Sequence, residues 1–95
     1  MIARHITFDV HPDRTADFER FFAESYRPPV TAVPGFVACD LLCEIDHPER
    51  YQMVFRWEHP EDAVAWRMSE VHQALQPELN TLHAGMAITA YTLVP

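Results

Sequence analysis

The residues best equipped for chemistry in this chain are a tryptophan, a serine and a histidine spaced three apart, Trp66, Ser69 and His72, within the stretch AWRMSEVHQAL over residues 65 to 75. An imidazole can take a proton from a phenol, and an indole can wall a pocket for an aromatic ring. On one unbroken helix, at about 100° per residue, Trp66 and His72 would point about 120° apart and could not easily share a pocket. Ser69 followed by Glu70 reads instead as a helix N-cap with an acid in the first turn, which ends one helix near Met68 and begins another. His72 is then the third residue of the new helix. There the positive end of the dipole disfavours the imidazolium and leaves the neutral ring that a base requires. The bland readings stay open: Trp66 amid Ala63, Val64 and Met68 can serve the core, and His72 can simply fill the helix junction.

Two further residues sit where charge is out of place. Arg4 shares the apolar row of the first extended segment with Ile6 and Phe8, and a buried guanidinium needs a partner or a ligand. An acid such as Asp40 or Glu44, water at the strand end, or a bound substrate would each serve. Asp40 raises the same question in the second extended segment. Tyr26, Tyr51 and Tyr91 are candidate hydrogen-bonding aromatics, although a buried tyrosine is more often structural. Three His-Pro pairs, at His11, His47 and His59, fall at turns or helix starts. Scattered in that way they read as solvated caps, and no metal is assigned.

Composition narrows the function classes. Fourteen acids stand against seven basic residues, all of them arginine, so nucleic acid and anionic membrane are not expected as partners. With no lysine, neither Schiff-base catalysis nor a P-loop can be built. Cys39 and Cys43 lie about 13 Å apart along an extended run at roughly 3.3 Å per residue, too far to bridge. Free thiols, no charged leader before an apolar stretch and no run of membrane-spanning length indicate a cytoplasmic protein. At 95 residues the chain forms one domain, residues 1–95, near the size at which a single core barely supports itself. Self-association would bury more surface.

The elements that must position these residues follow from periodicity. IARHITFDV alternates as a half-buried strand. A helix is expected from Asp13 to Tyr26, with Phe18, Phe21, Phe22 and Ser25 on one side, broken or kinked at RPPV. Phe36 to Ile45 is a second strand, DHPER a hairpin loop and YQMVFRW a third strand paired antiparallel with it. HPEDAVAWRM opens a second helical region that runs in pieces to Leu82, and GMAITAYTLV closes the chain as a fourth strand. The order β-α-β-β-α-β defines an α+β, ferredoxin-like fold, a four-stranded antiparallel sheet with helices on one face. In the second strand Val37, Cys39, Leu41, Cys43 and Ile45 form an apolar row, and Phe36, Ala38 and Leu42 join the opposite row. Both faces are therefore expected to be buried, the helix-free one against another subunit.

With Pro34-Gly35-Phe36 before the second strand, Arg56-Trp57 ending the third and W-x-x-S-x-x-H in the second helical region, the chain from Ile2 to Val94 resembles the antibiotic biosynthesis monooxygenase family. That resemblance implies a homodimeric α+β barrel. It also implies a cofactor-independent monooxygenase that oxidises a phenolic or polycyclic aromatic compound of anthrone or quinol type with molecular oxygen. On this reading the partners are a small aromatic substrate and O2, and no cofactor is required. His72 and Arg4 are the catalytic candidates, as proton acceptor and as support for developing negative charge. Trp66, Phe21, Ser69 and Asp40 are the substrate-binding candidates. Arg56 departs from relatives that carry an acid before the strand-end tryptophan. Haem-degrading relatives use positions held here by Gln76 and Arg4, neither suited to that role. The competing reading is a non-catalytic small-molecule-binding or assembly domain of the same fold, which a filled helix–sheet interface would favour and an aromatic cavity with convergent polar groups would disfavour.

Overall fold

A computed structural model describes all residues, 1–95. Strands β1 (Ile2–Val10), β2 (Phe36–Glu44), β3 (His47–Trp57) and β4 (His83–Thr92) form one antiparallel sheet in the order β2-β3-β1-β4. Helices α1 (Thr15–Phe21) and α2 (Arg27–Thr31), joined by a π-helical turn at Phe22–Tyr26, precede β2, and α3 (Pro60–Met68) and α4 (Glu70–Asn80) precede β4. This is the expected ferredoxin-like α+β arrangement.

Alternation in β1 fixes which residues meet the helices. Ile6 pairs with Met53 and Ile88, and Phe8 with Tyr51 and Met86, so these side chains form rows across the helix-facing side. Phe8, Phe18, Val30, Met53, Trp57 and Leu82 are the largest side chains excluded from water and make the centre of the core. Arg4 occupies the same face one step along, opposite Phe55 and Ala90.

The first helical segment runs further than its sequence indicates. Pro28 and Pro29 do not end it. The wide turn before them carries the Arg27 N–H to the carbonyl of Phe22, and the prolines then lie at the start of α2, where a missing N–H costs little. The extra residue in that turn keeps Phe22, Tyr26 and Val30 all turned inward. The expected end at Tyr26 is thus replaced by one at Thr31. Likewise the hairpin loop is only Ile45 and Asp46, and DHPER otherwise belongs to β3.

The expectation for β2 is corrected within the single chain. Of its apolar row only Cys39 is buried, while Leu41 is half-buried and Cys43 and Ile45 are exposed. A bulge between Phe36 and Ala38 shifts the register, and β2 is an edge strand. Gly35 takes a positive φ of 85° beside Asp62, where a Cβ would collide with that carboxylate. Asp62 in turn accepts the His59 N–H at 3.1 Å and caps α3.

Ser69 separates α3 from α4 as its sequence context predicts. Its backbone is extended (φ −70°, ψ 151°), and its hydroxyl accepts the His72 N–H at 3.1 Å and donates to the Trp66 carbonyl at 2.7 Å. Replacing Ser69 with Ala should lower the stability to urea by about 1 kcal/mol, and Ser69→Asp should recover most of it because a carboxylate also caps. An unchanged urea midpoint in Ser69→Ala would show that the break does not depend on the hydroxyl.

Candidate active site

Between α4, the π-helical turn and the sheet lies a cavity of about 300 Å³. Ile6, Phe8, Phe55 and Trp57 make its floor, Tyr26, Trp66 and Leu79 its walls, and Met86 and Ile88 of β4 its rim. The polar groups reaching it are Arg4, Arg67, His72, Gln73 and Gln76. An apolar chamber with a few convergent polar groups is the usual form of a small-molecule site.

The helix break decides how these residues meet. Once α4 restarts at Ser69, the His72 ring lies 5.3 Å from that of Trp66, edge-on at 75°, and 6.1 Å from that of Tyr26. Trp66 and Tyr26 pack edge-to-face at 5.6 Å, and the indole Nε1–H donates to the Tyr26 hydroxyl at 3.3 Å. Three rings on three separate helical segments therefore form one cluster at the cavity wall.

Each member of the cluster has a defined proton state. Burial pushes the Tyr26 hydroxyl up to about 12, more than the Trp66 hydrogen bond lowers it. Tyr26 therefore stays protonated, and its own O–H is free to donate into the cavity. Burial holds His72 below the ordinary imidazole range. The Arg67 backbone carbonyl works against this, and the charges of Arg4 and Arg67 add to it. The ring is neutral at pH 7, as expected, although burial and not the helix end is the principal cause. His72 Nε2 lies 3.3 Å from the Gln76 side-chain nitrogen, whereas Nδ1 is buried without a hydrogen-bond partner. With the Gln76 amide nitrogen donating, Nε2 is the acceptor and Nδ1 carries the proton.

Arg4, Trp66 and His72 thus come together at one cavity; the other three candidates do not line it. Phe21 is buried behind Tyr26, with ring centres 6.1 Å apart, and supports the wall instead of facing the space. Ser69 acts through its cap. Asp40 is exposed and, next to the inward Cys39, projects from the other side of β2, because successive strand residues alternate. A contact between Arg4 and Asp40 is ruled out by the same alternation as well as by the intervening β3. Arg67, Gln73 and Gln76 also line the pocket, without a mark in the sequence that singles them out. Gln76 lies four residues after His72, a helical spacing visible once α4 is taken to start at Ser69.

The fold and the cavity define a small ferredoxin-like α+β protein with an aromatic-walled binding chamber. A family model for antibiotic biosynthesis monooxygenases matches residues 1–78, and the chain belongs to that family. Among solved structures, a candidate antibiotic biosynthesis monooxygenase from Bordetella bronchiseptica is 27% identical with a TM-score of 0.88, covering 99% of this chain and 97% of its own. SnoaB from Streptomyces nogalater, described as a cofactor-independent oxygenase, is 22% identical with a TM-score of 0.88, covering 99% and 93%. A further candidate monooxygenase, from Nitrosomonas europaea, is 18% identical and superimposes over both full chains with a TM-score of 0.88. At such identities the last two establish the shared fold. No curated protein matches the chain by sequence.

The neutral state of His72 has a consequence for stability. An unfolded chain takes up a proton on this ring near pH 6.5, whereas the folded protein resists doing so until lower pH. Stability is therefore full above about pH 6.5 and falls as the pH drops towards the lowered native value. His83, also held low chiefly by burial, acts in the same direction. His72→Gln should reduce the loss of melting temperature between about pH 7 and 5. An identical pH slope in wild type and variant would mean that the folded ring titrates normally.

Proposed function

We propose that this chain is a cofactor-independent monooxygenase that oxidises a phenolic or polycyclic aromatic compound, of anthrone or quinol type, with molecular oxygen. The observation that carries this reading is the convergence of a neutral His72 with Trp66 and Tyr26 on a largely apolar cavity that Arg4 also reaches. Family membership and the description of SnoaB support it. The alternative of an assembly domain without a ligand is disfavoured by the open space between helices and sheet.

In this reaction the substrate supplies the electrons. His72 Nε2 accepts the phenolic or enolic proton, the substrate hydroxyl taking the place of the Gln76 amide, and leaves an electron-rich anion. Arg4 offsets the negative charge, and Tyr26 donates a hydrogen bond to the same oxygen. Electrons pass from that anion to O2, and one oxygen atom bonds to carbon. For an anthrone-type methylene, that oxygen remains as the carbonyl and the other leaves as water with the two hydrogens. The apolar walls keep bulk water away from the anion.

We further propose a homodimer in the cytoplasm. The helix-free side of the sheet carries Leu42, Val54, Ala87 and Tyr91 with no covering element in the chain, and both edge strands are unpaired. No helix is long and apolar enough to cross a membrane. Sedimentation equilibrium at micromolar concentration should give twice the chain mass, and a monomer fit would remove the barrel assembly.

The catalytic reading is tested at His72. Oxygen-electrode traces with an anthrone-like substrate should show His72→Ala reduced by about a hundredfold or more, the usual contribution of a general base, with the protein still folded. Oxygen uptake equal to wild type in a folded His72→Ala protein would eliminate the base.

A further inference from the structure

The cavity is electropositive in an acidic protein. Fourteen acids outnumber seven arginines in the chain, yet no aspartate or glutamate lines this chamber, whereas Arg4 and Arg67 both do. Elsewhere the arginines find carboxylates: Arg14 lies 2.7 Å and Arg20 3.4 Å from Asp17, and Arg50 lies 3.6 Å from Asp9 and 3.5 Å from Glu44. Arg27, Arg56 and Arg67 have no such partner but are exposed, where water solvates them, and of these three only Arg67 lines the cavity.

Arg4 is different. It is half-buried between Ile2 and Ile6 on the helix-facing row of β1, and it makes neither an ion pair nor a hydrogen bond within the chain. Burial and the charge of Arg67 both disfavour its cationic form, so the two guanidinium groups feel one another. Arg67 is exposed and shares its charge with water, so the unfavourable charge beside the apolar walls is chiefly that of the half-buried Arg4, which an anion would offset. Guanidinium groups match carboxylates in shape as well as charge, offering paired N–H donors to the two oxygens.

We propose that the cavity takes an aromatic substrate bearing a carboxylate, with the carboxylate between Arg4 and Arg67 and the ring against Trp66 and Tyr26. This deepens the proposed function and rests on the same cavity, but it concerns a standing charge on the ligand and not the charge that develops during oxidation. A volume of about 300 Å³ suits a small fused-ring acid, and the rim at Met86 and Ile88 leaves room for a larger one to protrude. Because the protein as a whole is acidic, a preference for an anion must arise locally.

Calorimetric titration without oxygen, using a hydroxynaphthoate and its neutral carboxamide, separates binding from turnover. Wild type should bind the acid about tenfold or more tightly than the amide, the scale of a hydrogen bond to a charged group. Arg67→Met should lose most of that preference without weakening the amide, Arg4→Met should lose most of it as well, and Arg4→Lys should keep part of it. Arg4→Met should also melt at a higher temperature, since it removes a half-buried unpaired charge. Equal affinity for acid and amide, or no binding of either, would overturn the inference. So would arginine variants that change the sedimentation mass and leave acid binding intact, because the guanidinium groups would then serve a subunit contact. Oxygen uptake with an uncharged anthrone decides the proposed activity separately, whichever way the acid preference falls.

Discussion

One side chain holds both halves of the candidate site. The Ser69 hydroxyl accepts from the His72 backbone at 3.1 Å and donates to the Trp66 carbonyl at 2.7 Å, so the end of α3 and the start of α4 are tied through a single oxygen. The extended backbone at Ser69 changes the phase of the helix. Without it, the two side chains would diverge by about 120°; with it, their rings approach to 5.3 Å. The bond that satisfies an unpaired N–H of α4 is the same bond that orients the imidazole, so local helix stability and site geometry cannot be separated here.

A similar economy operates on the opposite wall. The π-helical turn inserts one residue into the first helical segment, and Tyr26 consequently faces Trp66 while Val30 remains in the core. Tyr51, equally buried, is engaged differently: its hydroxyl donates to Glu19 at 2.6 Å and its ring packs on Phe18 at 5.0 Å. Tyr51 is thus tied into the core, whereas Tyr26 borders the cavity. The chamber stays open because α4 turns Leu75 and Leu79 towards the sheet while leaving Met86 and Ile88 of β4 47% and 44% exposed.

Much of this was readable from residue patterns, and the unread parts have identifiable causes. Alternation in β1 and β3, and the capping signature at Ser69-Glu70, depend on near neighbours alone and gave the right elements. The run through Arg27-Pro28-Pro29 misled because a π turn makes proline acceptable where a regular helix would not. Tyr26 continues the stripe of Phe18 and Phe22 at steps of four, but nothing in that spacing distinguishes a core ring from one that borders a cavity. Asp40 lies outside the pocket. Its strand carries apolar residues on both sides, so which row faces the helices is fixed only by pairing Cys39 with Phe55 across the sheet. Arg67 reaches the cavity only through the tertiary placement of α3, a property that no local pattern encodes.

The same two charges that give the chamber its sign also bear on its base. Arg4 and Arg67 help to keep His72 neutral in the empty cavity, secondary to burial. A carboxylate placed between them would cancel much of their field at the imidazole and make the ring a stronger proton acceptor once substrate is present. Burial would act the other way if the ligand expelled water from the half-exposed ring, so the net basicity depends on how closely the anion approaches the guanidinium groups. A neutral ligand offers only the second effect and leaves the base weaker than before. Charge on the substrate therefore bears on proton removal as well as on affinity, and both follow from placing two unpaired arginines beside a half-buried imidazole.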